Sequence, residues 1–246
     1  MNKNAHAHLA DPDLDRLLLQ ADSLSRGEGP STHNLDPADP IAAAWSLGLA
    51  AKFEQPHAQH VTALTLSIFD QLVDLRGPLA NEPPRPWARP RSRLILQLAA
   101  TLHDIGCSVS YAKHHKHSHA MISASRLPGL SRDELQLVAV IARYHRKSAP
   151  KLRHEMYAAL SSLDRQLVRT LASILRVGDA LDRAHTQCVK AVSVSLAASA
   201  LVLTAHAENE PHENLRACIS KGRMLETIFG VELSVRWGRA NAHSRR

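Results

Sequence analysis

The segment RSRLILQLAATLHDIG, residues Arg91–Gly106, carries an apolar helix pattern that ends in a histidine and an aspartate. Its leucines and isoleucine recur at the spacing of one helix face, which predicts a buried helix, and Gly106 is expected to end that helix. Asp104 beside His103 needs a partner there, because a buried carboxylate without one is costly. The pair is either an ordinary polar helix end or part of a metal site.

Helical periodicity continues on both sides of this segment, and a composition rich in Leu and Ala with only 4% aromatic residues favours helix. Ser131, followed by Glu134, predicts a capping box. The predicted helices are LDRLLLQADSL (residues 14–24), a segment from about residue 40, a segment from residue 56, SHAMISASRL (118–127), SRDELQLVAVIARYH (131–145) and SSLDRQLVRTLASILRVGDALDRAH (161–185).

After Cys188 the pattern changes from helical to alternating. VKAVSVSLAASALVLTAHA predicts a β-hairpin, ENLRACISKGRMLETIF a helix and VELSVRW a last strand. The expected fold is mainly α, with a small C-terminal α+β unit of β-β-α-β order. We expect a peripheral N-terminal segment (1–37), a helical domain (38–187), the small unit (188–240) and a basic tail (241–246).

Composition narrows the classes of function. A net charge of +7 over 246 residues points to anionic partners such as phosphate esters, nucleotides or nucleic acid. Part of that charge lies in PPRPWARPRSR and WGRANAHSRR, where it can simply be solvated. Apolar runs long enough for a membrane span or a signal peptide are absent from the sequence, so we expect a cytoplasmic protein. The three scattered cysteines are interpreted as reduced packing residues.

Two further residues turn the His-Asp pair into a candidate metal site. His57 stands in the first turn of an earlier predicted helix, and Asp179 stands in the middle of a later one. Two imidazoles and two carboxylates from three helices suit Mn, Fe, Zn, Ni or Co, or Mg with water in the remaining positions. Such an ion activates water for hydrolysis and neutralises phosphoryl oxygens. We expect one or two divalent ions.

Two basic segments that contain histidine extend this candidate site. YAKHHKHSHA holds four histidines at a junction between a loop and a helix, and ARYHRK ends a helix. Both are either solvated surface patches or parts of the site. If they are parts of the site, His117 and His145 supply ligands for a second metal ion. Candidate phosphate-binding residues are then Lys113, Arg143, Arg146 and Lys147.

The order His57, His103-Asp104, Asp179 resembles the H…HD…D signature of the HD superfamily of metal-dependent phosphohydrolases. LAATLHDIGCSVSYAKHHKHSHAMI, GLSRDELQLVAVIARYHRK and LASILRVGDALDRAH are similar to the C-terminal HD-like domain of the exopolyphosphatase/guanosine pentaphosphatase (Ppx/GppA) family. The resemblance runs from about Ala44 to Trp237. The actin-like ATPase-fold domains that carry polyphosphatase catalysis in the full-length family have no counterpart in this sequence.

The resemblance implies an all-helical HD core. It implies that His103 and Asp104 are catalytic and that Asp104 bridges the ions. The implied first-ion ligands are His57, His103, Asp104 and Asp179, and the implied second-ion ligands are His117 and His145.

The expected function is a metal-dependent phosphohydrolase that uses metal-activated water on a nucleotide or polyphosphate-like substrate. The alternative is a non-catalytic regulatory module that binds polyphosphate or an alarmone. A nucleic-acid-binding protein is the least favoured class, because the basic segments lack interleaved aromatic residues. The expected partner is therefore a small phosphorylated ligand, and strand edges of the C-terminal unit can support a homodimer.

Overall fold

The computed structural model describes residues 39–75, 87–197 and 200–239. The predicted helix over residues 14–24 and the basic tail lie outside these ranges. The helices are α1 (Pro40–Ala50), α2 (Gln55–Asp74), α3 (Ser92–Leu102), α4 (His114–Ala124), α5 (Arg132–Arg143), α6 (Glu155–Ala158) and α7 (Ser162–Ala180), and after two strands α8 (His212–Phe229). The strands are β1 (Val189–Ala197), β2 (Ala200–Ala207) and β3 (Glu232–Arg239), and a 3₁₀ turn spans Ile105–Ser108.

The described chain is mainly helical with a small C-terminal sheet, which confirms the predicted fold class. Helices α2, α3, α5 and α7 pack around one apolar core, in which Ile68, Leu98 and Ile141 are fully buried. α5 begins with the predicted capping box: Ser131 Oγ accepts from the Glu134 N–H, and the Glu134 carboxylate accepts from the Ser131 N–H. Among the described residues no helix is both long and apolar enough to cross a membrane.

The end of α3 differs from the expectation. The helix ends at Leu102, and Gly106 lies in the following 3₁₀ turn, so the prediction that Gly106 stops α3 was wrong. A Cβ on Gly106 would lie 2.3 Å from the His114 carbonyl oxygen and 2.4 Å from the Ser118 nitrogen. Gly106 is therefore required by the close approach of α4. This contact holds the start of α4, which begins four residues before the predicted Ser118, against Asp104.

A second close approach positions Asp179. A Cβ on Gly178 would lie 2.0 Å from Thr65 Oγ1, so α2 and α7 pack closely at this point. Asp179 follows directly in the last turn of α7, which ends at Ala180. The prediction that Asp179 lies in the middle of its helix was wrong. Its carboxylate lies at the end of α7, where the helix meets the start of α2.

The C-terminal unit has the predicted β-β-α-β order. β1 and β2 pair antiparallel, and β3 joins β2 in parallel after the crossover helix α8. Gln71 of α2 covers the outer edge of β1: its Nε2 donates to the Val192 carbonyl at 2.9 Å, and its Oε1 accepts from the Val194 N–H at 2.7 Å. β3 forms the other edge. The boundary near residue 187 and the homodimer stay predictions, and the apolar core is continuous across that boundary.

We expect Gly106→Ala to lower the free energy of unfolding by about 2 kcal/mol or more, because the added methyl group meets backbone atoms that cannot rotate away. Urea unfolding followed by circular dichroism measures the change. Gly230→Ala is the matched control, since Gly230 has a φ of +65° but open space around it. It should cost only about 1 kcal/mol of left-handed strain. Equal losses in the two variants would contradict the close-approach explanation.

Candidate metal centre

Six side chains converge around the short segment after α3, which itself carries two of them. Their nitrogen and oxygen atoms face one another across a few ångströms at the floor of a cleft. They are His57, His103, Asp104, His114, His145 and Asp179. The structure thus brings together every residue of the predicted metal set except His117, and it adds His114.

Asp104 divides the cluster into two halves with its two oxygens. Oδ2 lies 3.9 Å from His57 Nε2 and 3.6 Å from His103 Nε2. Asp179 Oδ1 faces the same two nitrogens at 3.7 and 3.9 Å. We call this group, with Asp104 Oδ2, the first half-site.

The other oxygen of Asp104 faces a different pair of imidazoles. Oδ1 lies 3.0 Å from His114 Nε2 and 3.3 Å from His145 Nε2. The two Nε2 atoms are 3.2 Å apart, and the two rings are nearly parallel. We call this group the second half-site. Asp104 therefore has the position that a bridging carboxylate needs.

In all four imidazoles, Nδ1 contacts a hydrogen-bond acceptor outside the cluster, and Nε2 points into the cluster. Nδ1 of His103, His114 and His145 lies 2.7–3.1 Å from the carbonyl oxygen three residues earlier, and Nδ1 of His57 lies 2.9 Å from a carboxylate oxygen of Asp182. Because these partners accept hydrogen bonds, we assign the proton to Nδ1. When the ring is neutral, each Nε2 then presents a lone pair. Nε2 of His57 and His103 is buried without a hydrogen-bond partner, which is the arrangement that a metal ion satisfies.

Asp182 was not predicted from the sequence. It is fully buried, holds His57 and also accepts from the backbone and side-chain amides of Gln187 at 2.8 and 3.1 Å. A carboxylate behind a ligating histidine fixes its tautomer and orientation. The available signal was its position three residues after Asp179, one helical turn along the chain. The ring of His185 stacks parallel to that of His57, with the ring centroids 3.8 Å apart. Its Nδ1 lies 2.7 Å from a carboxylate oxygen of Glu54.

His117 lies outside the cluster, half-buried, with its Cβ beside Gly106. His114 reaches Asp104 in its place because α4 begins at residue 114. Lys113 precedes that helix with a φ of 63°, and its side chain is exposed. It is not among the residues that line the cleft.

Burial and charge act in opposite directions on the cluster. Burial favours the neutral carboxyl of Asp104, but His103, His114 and His145 outweigh it and hold its pKa below the usual range. The pKa of Asp179 is also lowered, against burial, chiefly by Lys221 of α8, whose ammonium contacts Asp179 Oδ2. Burial lowers the pKa of His145 to about 3. Both carboxylates are therefore ionised at neutral pH, and His145 is neutral.

A cleft of about 430 Å³ opens above the cluster. Its rim is strongly basic, and the cationic residues are Arg146, Lys147, Arg176, Arg183 and Lys221. Arg146 lies over the Tyr111 ring at 5.7 Å, with a guanidinium nitrogen 3.0 Å from His114 Nε2. Two of the four predicted phosphate-binding residues, Arg146 and Lys147, therefore lie on the rim.

The remaining predicted phosphate-binding residue, Arg143, belongs to a different environment. It acts electrostatically on His115, His119 and Tyr144 and is not among the residues that line the cleft. The other three cationic residues of the rim were not predicted from the sequence, and they are Arg176, Arg183 and Lys221. The first two stand in the segment LRVGDALDR, on either side of Asp179, whereas Lys221 comes from α8, for which the sequence gives no local signal.

A known protein family matches most of this chain. Residues 43–216 match the family described as Ppx/GppA phosphatase, domain III. This chain belongs to the Ppx/GppA phosphatase domain III family. The match covers α2 to α7 and so includes all six residues of the cluster.

Relatives of this family member include three proteins named guanosine-5'-triphosphate,3'-diphosphate pyrophosphatase. The protein of Pseudoalteromonas translucida (strain TAC 125) is 30% identical over 122 residues, which is 48% of this chain and 22% of the relative. The protein of Vibrio vulnificus (strain YJ016) is 26% identical over 49% of this chain and 22% of the relative. The protein of Vibrio campbellii (strain ATCC BAA-1116) is 28% identical over 42% of this chain and 21% of the relative. The matched part spans about a fifth of these relatives.

The titration of His57, which is hydrogen-bonded to Asp182, should make the stability of the protein depend on pH. Burial opposes protonation of His57, but the nearby carboxylate of Asp179 and the hydrogen bond to Asp182 raise its pKa to about 9 from 6.5. A raised pKa in the folded state adds stability that is fully present below pH 6.5 and is lost as pH rises through 9. For protein treated with chelator, we expect the free energy of unfolding to fall by about 2 kcal/mol between about pH 7 and 9.

Urea unfolding at a series of pH values measures this slope. His57→Gln should flatten it over that window, because the titrating group is gone. His212→Gln, at a histidine that is 70% exposed, should keep the slope of the parent protein. A parent slope that survives His57→Gln would show that another group titrates in this range.

Proposed function

We propose that this protein is a metal-dependent phosphohydrolase of the HD type that acts on a nucleotide or polyphosphate-like substrate. The observation that carries the proposal is the set of inward-facing Nε2 atoms and ionised carboxylates beneath a basic rim. The inward-facing donor atoms fit a cation, and the basic rim fits a phosphate group. Neither ordinary core packing nor a solvated surface patch needs both.

The first half-site would hold one divalent ion through His57, His103, Asp179 and Asp104. Buried nitrogen and oxygen donors of this kind suit Mn, Fe, Co, Ni or Zn, or Mg with water completing the shell. When bound, such an ion lowers the pKa of water and neutralises charge on phosphoryl oxygens. Asp182 keeps the proton of His57 on Nδ1, and Lys221 leaves Oδ1 of Asp179 free because it contacts the other oxygen.

The cationic rim would bind and orient the phosphates. Arg146 and Arg183 present guanidinium groups, which match phosphate oxygens in a bidentate fork. The side chain of Arg176 extends from α7 to the end of α5, where one of its terminal nitrogens donates to the Tyr144 carbonyl at 3.1 Å and its buried Nε has no hydrogen-bond partner. That unpaired donor favours an anion nearby.

The same rim favours a substrate with several phosphates. A second cavity, of about 620 Å³, shares Arg176 and Lys221 with the cleft. Its lining adds four more cations and contains no carboxylate, and these cations are Lys151, Arg165, Arg169 and Arg223. A chain of phosphates can be neutralised along both cavities, whereas a single phosphate uses only one. The names of the relatives, which specify a guanosine substrate with five phosphates, agree with this choice.

A binding module for polyphosphate or an alarmone is the second candidate. It is favoured by the short match, because the segment shared with the pyrophosphatases is about a fifth of their length. Such a module would use the same basic cavities and would bind the ligand without turnover. Retention of both carboxylates and four inward-facing imidazoles favours the enzyme, since ligand binding alone does not require them.

The deciding experiment measures hydrolysis by the metal-free protein after addition of Mn, Mg, Co, Ni or Zn. The substrates are a phosphomonoester, a phosphodiester, nucleoside polyphosphates and short polyphosphates. We expect turnover with at least one ion, and we expect His103→Ala to abolish it for every substrate, because His103 Nε2 faces both carboxylates. Folding is checked by circular dichroism. Tight binding of phosphate ligands with no turnover under any ion would favour the binding module.

Two arginine-to-alanine substitutions test whether the cationic rim binds the substrate. Arg146→Ala should lower kcat/KM by about tenfold or more, equal to about 1.4 kcal/mol, while bound metal measured by elemental analysis is unchanged. Arg132→Ala is the matched control, because Arg132 is an exposed cation at the start of α5 and is remote from the lining. It should change kcat/KM by less than about twofold. Equal effects of the two substitutions would assign the change to net charge.

Added salt gives the same test without a substitution. It should slow nucleoside polyphosphates more than the singly charged ester, because ions screen an exposed cationic rim. Equal slowing of both substrates would contradict binding of several phosphates.

A further inference from the structure

Cys107 lies beside the second half-site. It stands three residues after Asp104 in the 3₁₀ turn, and its N–H donates to the Asp104 carbonyl at 2.9 Å. This turn brings the Cys107 thiol to the side of the Asp104 carboxylate. Cys107 Sγ, a carboxylate oxygen of Asp104 and a ring nitrogen of His114 all lie within 4.8 Å of one another. Cys107 is half-buried and lines the cleft.

His145 lies beside two members of this group. Its Nε2 lies 3.2 Å from His114 Nε2 and 3.3 Å from Asp104 Oδ1. Ligand atoms bind zinc at about 2.0–2.3 Å, so Asp104 Oδ1, His114 Nε2 and His145 Nε2 are close enough to share an ion, and rotation of the Cys107 side chain would add its sulfur. Sulfur, two nitrogens and one oxygen are four donors, the number that a tetrahedral ion takes.

We propose that Cys107 Sγ is a metal ligand, and that it makes the second half-site selective for a thiophilic divalent ion such as Zn²⁺ or Co²⁺. This inference rests on the proposed function, since it concerns a second ion beside the first half-site. The thiol loses its proton to solvent when the ion binds, and the sulfur lone pair forms the new bond. The ion is held by Asp104 Oδ1, Cys107 Sγ, His114 Nε2 and His145 Nε2.

The two half-sites then differ in chemical character. The first half-site offers only nitrogen and oxygen donors, which accept harder ions such as Mn²⁺. The second contains a thiolate, which prefers softer ions and disfavours Mg²⁺ and Mn²⁺. Asp104 serves both with separate oxygens. A centre that holds two different metals follows from this division.

The other two cysteines show that this placement is specific to Cys107. Cys218 is fully buried in α8, and its thiol contacts the Val177 carbonyl at 3.8 Å. Cys188 is half-buried like Cys107, but its sulfur accepts from Asn214 Nδ2 at 3.3 Å. Cys188 is therefore a matched control for any experiment on Cys107.

The test uses cobalt as a spectroscopic probe in the full chain. We expect metal-free protein loaded with Co²⁺ to show a thiolate-to-cobalt charge-transfer band in the near ultraviolet. Cys107→Ser should lose the band and should bind Co²⁺ and Zn²⁺ at the second half-site at least about tenfold more weakly, because even outer-shell partners contribute 10- to 100-fold. Its affinity for Mn²⁺ at the first half-site should be unchanged. Cys188→Ser should retain the band.

A second measurement needs no substitution. Alkylation with iodoacetamide, followed by peptide mass mapping, should show that Zn²⁺ protects Cys107 and leaves the modification of Cys188 unchanged.

The outcomes separate this inference from the function on which it rests. Cobalt bound without a near-ultraviolet band, or a band that survives Cys107→Ser, overturns the assignment of Cys107 and leaves the first half-site standing. Equal alkylation of Cys107 with and without Zn²⁺ also overturns it. Failure of the parent protein to retain any ion would remove both proposals together.

Discussion

The burial of one carboxylate, Asp104, is the constraint on which the centre of this fold depends. Its charge lies at the end of an apolar helix with only 19% of the side chain exposed, so it must be compensated by groups from elsewhere in the chain. Four imidazoles surround this carboxylate, and they come from α2, the end of α3, the start of α4 and the end of α5. Helices that are distant in sequence are therefore held to common positions by a single charge.

Much of the fold and five of the six residues of the centre can be predicted from the sequence. Apolar periodicity and the Ser131–Glu134 cap indicate the helices, and the change to alternation after Cys188 indicates the small sheet. His103, Asp104 and Asp179 can be recognised because polar groups inside apolar helix patterns need partners. The prediction is weaker wherever a residue acts through a contact between elements.

His114, Lys221 and Cys107 are examples of that second kind. His114 was one of four similar histidines, and the choice among them depends on where α4 begins, which in turn depends on a backbone contact at Gly106. Lys221 reaches Asp179 from a helix 42 residues further along the chain. Cys107 has no metal-binding spacing in the sequence and meets its neighbours through a 3₁₀ turn that no periodicity predicts.

Helix α2 serves two distant tasks at once. Its first turn carries His57, and its last turns carry Gln71, whose amide is hydrogen-bonded to β1. The two residues are nearly four turns apart and so lie on roughly the same side of the helix. Inserting or deleting one residue between them would rotate one relative to the other by about 100°. The length of α2 is thus under a stricter constraint than its composition: side chains between these residues can change, whereas their number cannot.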